Sequence, residues 1–285
     1  MFFRIRFAKY GVIKFIGHLD IMRYFQKAVR RSGLLIEYSQ GYSPHQLMVF
    51  ASPLGVGITS DGEYMDISVE NDAVEITEAV KAVKGDYSAE IIKSMTDEEL
   101  ALAGNQAAQA IAKTISGSLT EGTEIISIRY IPWREGEKHP ENAMSLVNGA
   151  DYLMSVKDGY LVEGIANEEE AAEKWQKFIS QDSINIVKKT KNGEKEMDIK
   201  PYIFASAVND ADIKELTDEY GLLHADSYES GIKIFLRLSA GSQTNIKPEA
   251  VMEAFCAFCG IEFNGFAWQI HRAQMYSNVL EKTPL

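Results

Sequence analysis

Cysteine is scarce in this sequence, which has only Cys256 and Cys259 among 285 residues. A fold held together by disulfide bonds is therefore excluded, and a reducing compartment fits. The two cysteines are spaced as Cys-x-x-Cys inside an apolar stretch, with no second pair to complete a zinc or iron–sulfur site. We interpret both as buried core thiols.

Long hydrophobic runs are also missing. No stretch approaches the roughly 18 apolar residues of a membrane-spanning helix. Residues 1–6 mix apolar and basic side chains and do not form the apolar core of a signal peptide. With 46% hydrophobic and 25% charged residues, the composition is typical of a folded globular protein. We therefore expect a soluble cytoplasmic protein.

Basic residues are outnumbered, with 29 Lys and Arg against 41 Asp and Glu and a net charge of −12. Their distribution is uneven, because residues 1–50 contain eight basic and two acidic side chains and so carry +6. The remaining 235 residues carry −18. A basic segment on an acidic body predicts either a patch for an anionic partner or an ordinary solvated surface.

The periodicity of residues 1–96 predicts an alternation of strands and helices. Alternating side chains predict strands, whereas apolar residues recurring every three or four positions predict helices. In chain order we expect strand 3–7, an extended piece 12–16, helix 18–32, strands 34–38, 47–50 and 63–69, helix 73–83 and strand 88–95. This order is the split βαβ pattern of a ferredoxin-like domain.

The second part of the chain shows a similar order of elements. Here we expect strands 125–131 and 151–156, helix 168–179, a hairpin around Asn192-Gly193, strand 233–239, helix 248–258 and strand 268–276. The Ala-rich residues 97–120 predict a helical linker. The sequence therefore predicts an α+β protein of two tandem ferredoxin-like halves, with domain 1–96, linker 97–120 and domain 121–285.

The predicted helix from His18 to Ser32 combines an apolar and a basic face. Its apolar stripe, expected to face the core, consists of Leu19, Met22, Phe25 and Val29. Its basic residues, on or near the opposite face, are Arg23, Lys27, Arg30 and Arg31. Gly33 is placed to end this helix.

His18 and Asp20 stand at the start of this basic helix. Free backbone N–H groups there, followed by basic turns, suit a phosphate or carboxylate ligand. The alternative is structural, with His18 capping the helix and Asp20 balancing its dipole.

The segment from Tyr38 to His45 reads as a loop rich in aromatic and polar residues. Such residues beside a glycine could stack bases and contact their edges. The alternative is an ordinary turn with buried tyrosines. If the loop folds back onto the helix start, His18 and His45 could meet and exchange protons near neutral pH.

Several blocks of the sequence resemble an uncharacterised bacterial family that is described as radical-SAM-associated and classed as a domain of unknown function. The N-terminal blocks are Arg4-Ile5-Arg6-Phe7, Phe15–Asp20, Arg30–Gly33, Tyr38–His45, Pro53–Gly57 and Glu63–Asp66. The C-terminal blocks are Lys188–Lys191, Asp198–Pro201, Arg237–Ser242 and His271–Tyr276. Judged without this resemblance, His271 and Arg272 on the last predicted strand are expected to lie on a solvent-exposed face.

The resemblance implies a partner. The chain lacks a Cys-x-x-x-Cys-x-x-Cys motif, so it is similar to the stand-alone form of the family without the radical SAM module. A separately encoded radical SAM protein is then implied, which would use SAM and a [4Fe–4S] cluster, while this chain binds no cofactor or metal. The chain departs from the family pattern at Gly17, where serine is usual, and at Gln46-Leu47-Met48, where a Pro-Lys-Ile-like run is usual.

These features favour a non-catalytic recognition module that presents RNA, or an RNA-linked substrate, to the radical SAM enzyme. The expected ligand-binding residues are His18, Asp20, Arg23, Arg31, Tyr42 and His45, with the arginines on phosphate, Tyr42 stacking and the histidines donating hydrogen bonds. One alternative is a scaffold that docks an acidic protein partner through the basic helix. Another is a metal-independent RNA-cleaving enzyme that uses His18 and His45.

Overall fold

The structure is a computed structural model that describes residues 1–134, 136–162, 164–190 and 193–285, without the side chains of residues 188–190. It divides into two compact units. Unit 1 comprises residues 1–56 and 63–146, and unit 2 comprises residues 57–62 and 147–285. Both units combine helices with β-strands, so the α+β class is confirmed.

Unit 1 alternates strands and helices around one sheet. Its elements are β1 (Phe2–Lys9), α1 (His18–Ser32), β2 (Met48–Phe50), β3 (Thr59–Ser68, whose first residues belong to unit 2), α2 (Val74–Lys84), α3 (Ala89–Ser94), α4 (Asp97–Ser116), β4 (Thr123–Ile131) and α5 (Ala143–Leu146). The strand order is β4-β1-β3-β2. The β4–β1 and β2–β3 pairs are antiparallel.

The core of unit 1 lies between one face of this sheet and its helices. Successive strand residues point to opposite faces, so Phe3, Ile5 and Phe7 of β1 lie on the same face. All three are buried. The Phe7 ring meets Phe25 of α1 with centroids 4.6 Å apart. Each such buried side chain contributes about 1.5–3 kcal/mol relative to exposure.

Helix α1 has the predicted bounds but not the whole predicted apolar stripe. It ends at Gly33, whose φ of 78° is the left-handed conformation that glycine adopts readily. Leu19 is 66% exposed, whereas Phe25 and Val29 are buried. At about 100° per residue, Leu19 lies roughly 120° around the helix from Phe25, outside the buried stripe.

Four other expectations for the first half are wrong. Residues 34–38 form no strand and contribute only isolated bridges at Ile36 and Tyr38. Residues 11–15 form a 3₁₀ turn and not an extended piece. Residues 89–94 form α3 and not a strand, because the Ser88 side chain accepts the Ile91 N–H and starts a helix. The alanine-rich segment is helix α4, which packs in unit 1, so the units divide at 146/147 and not at 97–120.

Unit 2 has its own sheet and a separate hairpin. Its elements are β5 (Gly149–Val156), α6 (Glu168–Ile179), β6 (Asn185–Thr190), β7 (Gly193–Asp198), β8 (Ile203–Ala207), α7 (Asp210–Leu216), β9 (Lys233–Ser239), α8 (Pro248–Phe258), β10 (Trp268–Asn278) and β11 (Thr283–Pro284). The strand order is β10-β5-β9-β8 with antiparallel pairs. Strands β6 and β7 form the predicted hairpin, whose turn residues Lys191 and Asn192 lie outside the described residues, as do the side chains of Lys188 and Lys189.

The segment 208–232 of unit 2 packs against one face of its sheet. Ile213 of α7 contributes to a small core with Leu153 and Phe235 from β5 and β9. Residues 59 and 60 of β3 pair in parallel with β10, which brings residues 57–62 into unit 2. Across the described part of the chain, no helix is long and apolar enough to cross a membrane.

Candidate functional site

His18 is the first residue of α1, and its ring contacts the core. The N-cap position belongs to Gly17, which offers no side chain for capping, so the expected cap by His18 is wrong. The His18 ring is half-buried and meets Phe50 edge-on, with ring centroids 5.8 Å apart. This contact fixes the start of α1 against the end of β2.

Asp20 and Arg23 are brought together on the surface of α1. The Arg23 guanidinium donates to Asp20 Oδ1 at 3.2 Å, and both side chains are mostly exposed. Exposed pairs of this kind are weak. Arg23 therefore remains available to a stronger anionic ligand.

The C-terminal half of α1 has an exposed basic surface. Lys27, Arg30 and Arg31 all lie in the exposed part of the helix. Arg31 also donates to the Ser118 carbonyl at 2.9 Å, which orients its guanidinium. We call Arg23, Lys27, Arg30 and Arg31 the basic face of α1.

The surface charge of residues 1–50 is smaller than the sequence indicated. Arg4, Arg6 and Lys9 on β1 are buried. Arg4 makes a two-pronged ion pair with Asp66 at 2.7 and 2.8 Å. The Lys9 ammonium donates to two main-chain carbonyls, those of residues 14 and 16. Three of the eight cations are therefore buried and are not presented to a ligand.

The loop from Tyr38 to His45 is closed at its base and open at its tip. Ser39 N–H donates to the His45 carbonyl at 2.8 Å, and the Ser39 hydroxyl lies 2.8 Å from His45 Nδ1. Gly41 has a φ of 112°, which allows the sharp turn. The Tyr42 side chain is fully exposed and Tyr38 is 43% exposed, so the expectation of buried tyrosines is wrong.

In the contacts that the structure describes, His18 and His45 have different partners. His18 meets Phe50 and His45 meets Ser39. Among the six predicted ligand-binding residues, the structure brings Asp20 into direct contact with Arg23. The basic face of α1 and the loop are nevertheless close along the chain, since only residues 32–37 separate Arg31 from Tyr38.

A second cluster, in unit 2, was not predicted. The buried carboxylate of Asp61 lies 2.6 Å from His224 Nδ1 and accepts the His224 backbone N–H at 2.8 Å. It also lies 3.2 Å from His271 Nε2. The His271 ring donates from Nε2 to the Gly221 carbonyl and has the Thr59 hydroxyl 2.9 Å from Nδ1.

Hydrogen bonding controls the charge of this cluster. Burial alone would raise the pKa of Asp61, but the bonds from His271 and His224 outweigh burial and hold that pKa below its ordinary value. The carboxylate is therefore ionised at neutral pH and orients both imidazoles. His271 is 2% exposed and Arg272 is 3% exposed, so the expected solvated face on β10 is wrong.

A third polar cluster lies in unit 2, in the buried interior. Arg237 donates to both carboxylate oxygens of Asp151 at 2.7 Å, and the Tyr276 hydroxyl donates to Asp151 at 2.7 Å. Arg237 also donates to the Leu216 carbonyl at 2.8 Å, which ties the segment 208–232 to the sheet. Burial raises the pKa of Asp151 in spite of these bonds.

The two cysteines lie on and just after α8. Cys256 is buried and Cys259 is half-buried, and both are free thiols. Burial raises the pKa of Cys256 to about 11, with a smaller contribution from Cys259, so this thiol stays protonated at neutral pH. Within the described residues, no group of three or more His, Cys, Asp or Glu side chains is arranged to hold a metal ion.

The fold and these surfaces define a mixed α+β protein with a basic helix and an exposed aromatic loop. The chain belongs to the family DUF2344, described as an uncharacterized protein conserved in bacteria, whose model matches residues 3–110 and 93–248. The expected membership of an uncharacterised bacterial family is therefore confirmed. A search of curated proteins finds no match to the chain.

Proposed function

We propose that this protein is a non-catalytic recognition module that binds single-stranded RNA, or an RNA-linked substrate, through the basic face of α1 and the loop 38–45. The observation that carries the proposal is the exposed Tyr42 ring, eleven residues along the chain from Arg31, the last exposed cation of α1. RNA recognition commonly combines these two features, because aromatic rings stack on bases and cations hold phosphates.

Each part of the surface has a separate role in this proposal. Arg23, Lys27, Arg30 and Arg31 neutralise phosphates, and Tyr42 stacks on one base. The hydrogen bonds of Ser39 with His45 preorganise the loop, so less entropy is lost on binding. His18 and His45 offer hydrogen-bond donors, and Asp20 lies beside Arg23 in a weak pair that a phosphate can replace.

The proposal includes a ferredoxin-like architecture for each unit. Unit 1 follows the order β1-α1-β2-β3, then helices α2 to α4, then β4, and its sheet order is β4-β1-β3-β2. In unit 2 the strands β5, β8, β9 and β10 occupy the corresponding positions, in the order β10-β5-β9-β8. The same arrangement in both units supports a split βαβ duplication.

The proposal also includes a partner, which the sequence resemblance supports. A separate radical SAM protein, with its own SAM and [4Fe–4S] cluster, would act on the substrate that this chain holds. The site of action would be the cytoplasm. Family membership carries no activity of its own, so the partner is tested separately by copurification of the two proteins.

Salt-dependent retention of RNA on a filter tests the RNA-binding part directly. The full chain is mixed with total cellular RNA at about 50 and about 200 mM salt, and the variant Lys27→Ala/Arg30→Ala is measured beside it. If both cations contact phosphates, their loss should flatten the slope of log K against log salt by about 1.4. Retention of the unaltered protein should fall steeply with salt.

A matched control removes two exposed cations elsewhere in unit 1. The variant Lys81→Ala/Lys113→Ala loses the same charge from α2 and α4, whose lysines are exposed. It should retain RNA nearly as well as the unaltered protein. Equal losses in both variants would mean that net charge, and not the face of α1, governs retention.

An exposed apolar group at the start of α1 favours the second candidate function, a protein-docking scaffold. Val12, Phe15 and Leu19 are 78%, 64% and 66% exposed. A stoichiometric complex with the radical SAM partner that persists after nuclease treatment, and that is lost in Phe15→Ser/Leu19→Ser, would support it. RNA cleavage by His18 and His45 is tested by prolonged incubation, and an RNA panel that stays intact would contradict it.

A further inference from the structure

A cavity of about 600 Å³ in unit 1 is separate from the basic face of α1. It lies where the start of β1 and the end of β4 meet helices α3 and α4. The lining side chains used below are Phe2, Glu37, Asn71, Lys93 and Trp133. Its size is within the usual range for small-molecule sites, about 300–1,000 Å³.

The aromatic wall of this cavity is held in a fixed orientation. Trp133 stacks on His139 with centroids 4.7 Å apart and an interplanar angle of 14°. Its indole N–H donates to the Glu137 carbonyl at 3.2 Å. Phe2 meets the Trp133 ring edge-on at 5.3 Å. Rings that are already ordered lose little entropy when a flat ligand binds, so the wall favours a planar aromatic group.

The polar lining supplies an acceptor and a cation. Glu37 accepts the Ser68 hydroxyl at 2.8 Å through Oε2, and a carboxylate has about four lone-pair sites. The carboxylate therefore retains capacity for further N–H donors. The Asn71 amide adds a donor, while its Oδ1 accepts from the Met1 ammonium at 3.3 Å. Lys93 of α3 brings a positive charge to the same cavity, which suits a phosphate.

We propose that this cavity binds a guanosine 5′-phosphate unit. Guanine is planar and presents two adjacent N–H donors on its Watson–Crick edge, which match a carboxylate such as Glu37. Adenine, cytosine and uracil do not present that pair of donors. The 5′-phosphate is the partner for Lys93. The unit is either a free nucleotide or a guanosine within RNA, because both present the same ring and phosphate.

The site goes beyond the proposed function, since it uses none of the residues of α1 or of loop 38–45. The test is isothermal titration of the full chain with GMP, AMP, CMP and UMP in turn. GMP should bind saturably and about tenfold more tightly than AMP, the discrimination expected of one two-pronged contact to a base. Absence of GMP binding at millimolar nucleotide overturns the proposal.

Two substitutions connect the binding to the named side chains. Glu37→Gln should remove most of the preference for GMP over AMP. Lys93→Ala should weaken GMP but leave unphosphorylated guanosine unchanged, and the exposed control Lys113→Ala should change neither. Circular dichroism spectra that match the unaltered protein verify folding of each variant. An unchanged GMP preference in Glu37→Gln overturns the assignment of the base edge.

Competition separates the two sources of the ligand. If guanosine in RNA is the ligand, a guanosine-containing oligonucleotide should displace GMP while a guanosine-free one of equal length should not. If free nucleotide is the ligand, neither oligonucleotide displaces it. Because Lys27→Ala/Arg30→Ala leaves the cavity intact, that variant should still bind GMP, so failure of this site and failure of RNA binding by α1 are distinguishable.

Discussion

Removing Arg237 should destabilise unit 2 by leaving a buried carboxylate without its counter-ion. The Arg237 and Asp151 side chains are 3% and 1% exposed, and two hydrogen bonds of 2.7 Å join them. In Arg237→Met the apolar volume is largely kept, but Asp151 loses both bonds and the Leu216 carbonyl loses its donor. Breaking a buried pair in this way costs about 3–5 kcal/mol.

Urea unfolding followed by circular dichroism measures this loss of free energy of unfolding, and the pH dependence of the loss identifies its electrostatic cause. Burial already raises the pKa of Asp151, and loss of Arg237 should raise that pKa further. A carboxyl group whose folded-state pKa lies above its unfolded value destabilises the protein at higher pH and ceases to do so once protonated. The deficit of Arg237→Met should therefore shrink as the pH is lowered from about 7 towards about 5.

A compensating variant distinguishes this reasoning from simple loss of packing. The triple variant Asp151→Leu/Arg237→Met/Tyr276→Phe removes both charges and also the hydroxyl that donates to Asp151. It should therefore recover most of the stability that Arg237→Met loses. A deficit in Arg237→Met that is below about 1 kcal/mol, or one that does not depend on pH, would refute the electrostatic account.

Three further predictions concern other parts of the chain. Hydrogen bonds outweigh burial at Asp61 and lower its folded-state pKa. The ionised carboxylate should therefore stabilise the protein fully above pH 3.8, its ordinary pKa, and this stabilisation should be lost as the pH falls through the lower folded-state pKa. Acid unfolding of Asp61→Asn beside the unaltered protein measures the lost stability. Tyr42→Ala should change stability by less than about 0.5 kcal/mol yet weaken RNA binding by about 1–3 kcal/mol, as filter retention and thermal unfolding would record. Gly104→Ala should lower the thermal midpoint, since a Cβ there would lie 2.3 Å from the Tyr130 ring and overpacking costs about 1–3 kcal/mol.

Local signals in the sequence predicted elements that carry their own boundary chemistry. Helix α1 with its stop at Gly33, and helix α6 with its predicted bounds 168–179, follow from residues adjacent to each terminus. The segment 88–95 misled because a short apolar run fits a strand as well as a helix. Its capping serine was the signal that favoured the helix.

Long-range pairing could not be predicted from one sequence. Asp61, His224 and His271 are far apart in the chain, and no spacing connects them. The buried Arg4–Asp66 pair could not be recognised for the same reason, so Arg4 was included in the expected surface charge of residues 1–50. Only the fold separates cations that hold strands together from cations that face a ligand.

Salt-dependent filter retention with the paired variants shows whether α1 presents its cations to RNA. Retention should be strong at low salt, be lost in Lys27→Ala/Arg30→Ala and persist in Lys81→Ala/Lys113→Ala. Absence of retention by the unaltered protein at low salt, or equal retention by both variants, would contradict RNA binding by α1.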